Sequence, residues 1–143
     1  MTGSNIPVVP VSWGELLDKM TILDIKRLRI PDPVAQAHIR MEQHLLREIG
    51  APVLSGPDVR RALRRLRRVN QALWTIEDRI RQEEATASFG PCFIRLARSV
   101  YRMNDRRAAI KREINLMLKS HLMEEKSYTA AMPAGRATGR ATP

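Results

Sequence analysis

A chain of 143 residues, 43% of them hydrophobic, is long enough to bury one core without disulfides or a metal, and a single domain is expected. Aromatic residues are scarce at 4%, so the core should consist of Leu, Ile, Val, Met and Ala carried on helices, and the lone cysteine, Cys92, excludes an internal disulfide framework and a cysteine-rich zinc site. With 25 Lys and Arg against 15 Asp and Glu the formal charge is +10, a surface that attracts polyanions whether or not the attraction is used.

No apolar run approaches the length needed to span a bilayer, so no membrane span is expected. The opening Met-Thr-Gly-Ser-Asn lacks the basic flank and apolar stretch of a signal peptide, and the cytoplasm is the expected compartment.

Residues 1–11 are expected to form an extended arm, because Pro7 and Pro10 fix the backbone and remove donors. Ser12-Trp13-Gly14-Glu15 has capping-box spacing and starts helix one, whose Leu16, Leu17, Met20, Leu23, Leu28 and Ile30 keep helical spacing up to Pro31. Asp32 is placed to cap helix two, with Pro33 in its first turn. That helix carries Val34, Ala37, Met41, Leu45 and Ile49 on one side and is expected to stop at Gly50, leaving Ala51 to Pro57 as a loop.

From Asp58 the helical pattern continues unbroken to about Ala85, a rod of roughly 42 Å at 1.5 Å per residue. A short turn through Ser88 and Gly90 leads to a second long helix, Pro91 to Leu118, marked by Phe93, Leu96, Val100, Met103, Ile110, Ile114 and Met117. The two must form an antiparallel hairpin. A brief helical turn is expected near His121 to Lys126, and residues 129–143 are small, polar and expected to be disordered. The fold class is therefore all-α: a bundle built on a long helical hairpin with two shorter N-terminal helices, a single domain over residues 12–128.

Polar residues interrupt the apolar stripe of the first long helix. Asn70, Glu77 and Glu84 recur seven apart among Val59, Leu63, Leu66, Leu73 and Ile80, where each loses water and needs a partner. A turn near Ser88 sets residues whose numbers sum to about 177 opposite one another, so Asn70 is expected near Arg107 and Glu77 near Tyr101. Arg107 lies on its own helix's apolar stripe between Met103 and Ile110, and Glu77 is its expected acceptor. Helix one adds Glu15, Asp18, Lys19 and Lys26. Glu15 and Lys19 form a favourable four-apart pair, and Lys26 either reaches the hairpin network or snorkels to solvent. Two readings stand for this set: an internal network that fixes hairpin register, or a pocket for a small anion or metabolite using Glu15, Lys19, Lys26, Asn70, Glu77, Asn104, Arg107 and Lys111.

A second constellation is Arg60, Arg61, Arg64, Arg65, Arg67 and Arg68, on the outside of the early part of the first long helix. Like charges four apart oppose each other by roughly 0.2–0.5 kcal/mol per pair, and the first arginines sit at the positive end of the helix dipole. An acidic neighbouring helix, an acidic partner, a phosphate-bearing ligand or nucleic acid would offset this, and so would solvent and salt.

Recognised catalytic and cofactor signatures are missing: no Gly-rich phosphate loop, H-E-x-x-H, C-x-x-C or G-x-S-x-G occurs. His38 and His44 are six apart, the wrong interval for shared metal ligation, and His121 stands alone. No metal or cofactor is expected.

Several stretches carry a resemblance. Val11 to Lys19 (V-S-W-G-E-L-L-D-K), Leu73 to Asp78 (L-W-T-I-E-D), Leu96 to Tyr101 followed by Asn104, Asp105 and Arg107, and Glu124 to Tyr128 resemble a family of small bacterial proteins classed as a domain of unknown function. The likeness runs from about Val9 to Tyr128, with Trp13 and Met20 departing where smaller or branched residues are expected. It implies no activity. Its motifs overlap the residues above at Glu15, Lys19, Lys26, Trp74, Glu77, Asp78, Asn104, Arg107 and Lys111.

Three functions are then in view. The first is a noncatalytic accessory or interaction module whose arginine face docks an acidic partner; the second is a bundle that takes a small anion or metabolite, as a ligand or as a substrate; the third is nonspecific nucleic-acid binding through the arginines. Because helices of about 25 Å leave part of a 42 Å hairpin uncovered, a homodimer is expected as well.

Overall fold

Each helix starts where the sequence supplies a cap or a proline. The Ser12 hydroxyl accepts from the Glu15 amide at 3.1 Å, and the Asp32 carboxylate accepts from the Ala35 amide at 2.8 Å. Pro33, Pro57 and Pro91 occupy first turns, where a missing N–H costs nothing. The computed structural model describes residues 5–125, and among them four helices and no strand: α1 (Trp13–Arg29), α2 (Pro33–Leu54), α3 (Pro57–Ala85) and α4 (Pro91–Met117). The protein is all-α.

Helix α2 departs from expectation twice. It does not stop at Gly50 but continues through Pro52 to Leu54, so the expected loop from Ala51 is mostly helix. Gly50 serves close packing instead of chain reversal: it is buried, and a Cβ there would stand 3.1 Å from the Met20 sulfur. The helix also buries Ile39, Gln43 and Gly50, while Val34, Met41, Leu45 and Ile49 stay at least a third exposed.

The hairpin of α3 and α4 has the register that its turn dictates. Arg65 on α3 meets Glu113 on α4 through two bonds of 2.7 and 3.0 Å, a pair whose numbers sum to 178. At the tip, the Ser88 amide donates to the Glu83 carbonyl and the Ala87 amide to the Glu84 carbonyl, the paired bonds of a Schellman ending, with Ala87 at φ 52°.

α1 lies across the base of the hairpin and packs Leu16, Leu17 and Met20 against Val59, Ala62, Leu66, Ile110 and Ile114, the centre of the core. α2 covers α1 and touches α3 only slightly. Beyond Leu73 no residue of α3 is buried, and in the facing part of α4 only Leu96 is. The far half of the hairpin therefore stands clear of the two shorter helices.

Residues 121–125 are not helical, contrary to the turn expected there, and Lys126 lies outside the described residues. Of the N-terminal arm, residues 5–11 run without regular structure and are exposed. Residues 1–4 and the tail 129–143 lie outside the described residues, as does the end of the domain expected at 128.

Candidate functional site

Asp18 holds the centre of the molecule. Helical spacing from Gly14 and Thr21 turns it toward the hairpin, and its side chain is completely buried. One carboxylate oxygen accepts from Asn70 Nδ2 at 2.9 Å and Arg107 Nε at 2.8 Å, while the other accepts from Arg107 Nη2. Thr21 donates its hydroxyl to the Asp18 backbone carbonyl at 2.8 Å and accepts from Asn70 Nδ2 at 2.8 Å. Three helices are thus tied by one carboxylate, with the guanidinium in the two-pronged geometry that suits it.

This corrects the expected pairing. Glu77 does not meet Arg107; it is exposed and lies with Trp74, Asp78 and Arg81 around an open depression of about 300 Å³. Glu84 is exposed as well, so of the three polar residues on the α3 stripe only Asn70 is buried. The reason is the short reach of α1 and α2: where they end, the stripe faces water, and a carboxylate on it needs no partner.

Beside the knot, Lys111 is almost fully buried and donates to Glu15 Oε2 at 2.7 Å and Glu124 Oε2 at 2.6 Å. Burial pulls its ammonium toward a lower pKa, but the hydrogen bonds to Glu124 and Glu15 together with the negative charges of Glu15 and Asp18 outweigh this and leave it above the ordinary lysine value. Arg107 is likewise held above its ordinary value, by its hydrogen bond to Asp18 against the opposing pull of burial. Glu15 therefore serves Lys111, and Lys19, its expected mate, is exposed and makes no ion pair with a described residue. A shallow cavity of about 260 Å³ next to Lys111 is lined also by Asp105, Arg112, Asn115, Glu124 and Glu125.

Close approach makes this possible. The Gly14 amide donates to Asn115 Oδ1 at 2.7 Å, and a Cβ on Gly14 would come within 2.4 Å of the Lys111 carbonyl oxygen. Only glycine lets the first turn of α1 sit so near α4.

The structure thus gathers Glu15, Asn70, Arg107 and Lys111, and leaves Lys19, Lys26, Glu77 and Asn104 outside. Lys26 and Asn104 are half-buried and make no side-chain hydrogen bond or ion pair with described residues, so Lys26 does not reach the hairpin network. Sequence reasoning missed the central role of Asp18 and the parts of Thr21, Asn115 and Glu124. One signal was available: Asp18 follows two leucines in the apolar run of helix one, as Arg107 interrupts that of its helix. Among the described residues no buried side-chain nitrogen or oxygen lacks a partner, and none group into three or more His, Cys, Asp or Glu able to hold a metal ion.

The arginine patch divides in two. Arg61 pairs with Asp58 at 3.3 Å, Arg65 with Glu113, and Arg67 with Asp24, which also accepts from Gln43 and Arg47 of α2. Arg60, Arg64 and Arg68 make no ion pair with a described residue. Arg68, together with the paired Arg65, rims a groove of about 420 Å³ between α3 and α4, floored by Val69, Ala109 and Ile110, with Arg106, which makes no ion pair with a described residue, on the opposite rim.

Over residues 8–139 the chain matches the model of a family of unknown function, DUF6165, and it belongs to that family. No curated protein and no solved structure matches it. No helix among the described residues is long and apolar enough to cross a membrane.

Proposed function

We propose, since membership of this family brings no activity with it, that the protein is a noncatalytic helical interaction module whose arginine face docks an acidic protein partner. One observation carries the reading: among the described residues the buried polar groups are satisfied, whereas Arg68 and Arg106 face each other across an open groove with no acidic mate. A polar seam that closes on itself specifies packing, and unpaired cations over an apolar floor favour an anionic visitor. A small-anion pocket at the seam finds less support, because Arg107 is taken by Asp18 and Lys111 by two carboxylates. Nucleic acid would use the same arginines, but among the described residues no aromatic side chain lines the groove to stack a base.

Binding of fluorescein-labelled polyglutamate and of a single-stranded oligonucleotide of equal charge, followed by anisotropy against salt, tests this. Polyglutamate should bind and the Arg68→Glu/Arg106→Glu variant should lose at least about tenfold in affinity. Preference for the oligonucleotide would move the function to nucleic-acid binding, and no binding of either at low salt would remove the arginine face from the account.

Self-association belongs to the same reading. The outward stripe of Val34, Met41, Leu45 and Ile49, 37–64% exposed, is the apolar surface on α2 that supports a homodimer. Sedimentation equilibrium of the wild type and of Met41→Asp checks it: a monomer at every concentration would withdraw the dimer.

A further inference from the structure

The hairpin has a groove on each side, and among the described residues a helix covers only one of them, along the base half. On the filled side lies α1, a helix with an apolar stripe of Leu16, Leu17, Met20 and Leu23 and three acids that each meet a hairpin cation: Glu15 to Lys111, Asp18 to Arg107 and Asp24 to Arg67. Helix and groove match by apolar contact, by the buried Asp18–Arg107 pair at the centre, and by carboxylate to cation at the partly exposed edges, where Glu15 and Asp24 sit.

The other groove repeats that combination, and no helix of the described residues lies in it. Its floor is Val69, Ala109 and Ile110, and its rims carry Arg65, Arg68 and Arg106. Along α4 the row continues as Arg102, Arg98 and Arg95, at intervals of four, four and three residues from Arg106, one face of a helix. Among the described residues, only Arg65 of these arginines has an acidic mate, Glu113. Cations at this spacing repel one another, and the interior precedent shows what relieves such a rim: the acids of a helix laid between the two rods.

We infer, building on the proposed docking role, that the occupant of this groove is an acidic amphipathic helix of a partner protein, seated as α1 is seated on the opposite side. Apolar residues at three- and four-residue intervals lie along Val69 and Ala109, and Glu or Asp on both flanks meet Arg68 on α3 and Arg106 and Arg102 on α4. The demand is for shape as well as charge, since a flat polyanion leaves the apolar floor in water.

A synthetic peptide with Leu at core positions and Glu on both flanks, a scrambled peptide of the same composition, polyglutamate and a single-stranded oligonucleotide serve as probes against the full chain. The amphipathic peptide should bind at least about tenfold more tightly than its scramble and become helical on binding, seen by circular dichroism. Two variants separate charge from shape: Arg68→Glu/Arg106→Glu should weaken all acidic probes, whereas Ala109→Trp, which fills the exposed groove without altering charge, should abolish the preference for the amphipathic peptide and leave polyglutamate unchanged. Their far-ultraviolet spectra verify that both variants remain folded. Equal binding of peptide, scramble and polyglutamate overturns the helix inference while the docking role survives. An oligonucleotide preference, or no binding by any probe, overturns both.

Discussion

Asp18 and Arg107 stand 89 residues apart in the chain and meet through two hydrogen bonds at a point where the carboxylate sees no solvent. Asn70 completes the contact, so one residue of α1 holds both rods of the hairpin. Removing one partner of a buried pair leaves a charge or dipole without compensation. Asp18→Ala is expected to lower stability by about 3–5 kcal/mol, and the Asp18→Ala/Arg107→Ala double variant by clearly less than the sum of the two singles. Urea unfolding of the four proteins gives the coupling directly; additive losses would mean that the pair is not an energetic unit.

Gly14→Ala tests the close approach of α1 to α4. In an ordinary helix the change is favourable, but here the methyl would lie 2.4 Å from the Lys111 carbonyl and 2.9 Å from Asn115 Oδ1. The expected outcome is a loss of about 1–3 kcal/mol, from overpacking against a backbone atom that cannot move alone. A gain in the midpoint of thermal unfolding would contradict this geometry.

Glu77→Ala should leave stability within about 0.5 kcal/mol of the wild type, because the side chain is exposed and bonded to no described residue. The comparison with Asp18→Ala is informative. Reversal of the two sensitivities would return Glu77 to the knot.

The pH dependence follows from Lys111. Its pKa is raised in the folded chain above the ordinary 10.5, so its contribution to stability is fully present below about 10.5 and is lost as pH rises through the higher folded value. The stability gap between wild type and Lys111→Met should therefore be level from neutral pH to about pH 10 and shrink above it. Urea midpoints across that range check the prediction, and a gap already closing near neutrality would contradict it.

At the hairpin tip, Ala87 has φ 52°, a region that costs a residue with a Cβ about 1–2 kcal/mol. Ala87→Gly should raise stability by about 1 kcal/mol, read as a higher urea midpoint with an unchanged slope. An unchanged or lowered midpoint would show that the αL position carries no strain.

Most of the fold was legible because its signals are local. Caps at Ser12 and Asp32, prolines in first turns and unbroken apolar spacing through α3 and α4 depend on neighbours within one or two turns. Gly50 misled for the same reason: a glycine near the end of an apolar pattern reads as a stop, and only the nearness of Met20 shows that it is a packing residue. The polar seam was half legible. Arg107 on an apolar stripe announced that an acceptor was needed, but the choice between Glu77 and Asp18 depends on which helix lies over which stretch of hairpin, and spacing within one helix does not contain that information.

From its residues alone this chain was committed to four helices, an antiparallel hairpin with a register set by a tight turn, and a need for partners wherever a polar group interrupts an apolar stripe, because each is a consequence of periodicity and short-range sterics. Tertiary structure decided the rest: which carboxylate answers Arg107, which arginines find an acidic mate among the described residues, and which side of the hairpin α1 covers. Those outcomes depend on the placement of α1 against the two rods, a contact between segments far apart in the chain, where small differences in packing and desolvation choose among chemically equivalent partners.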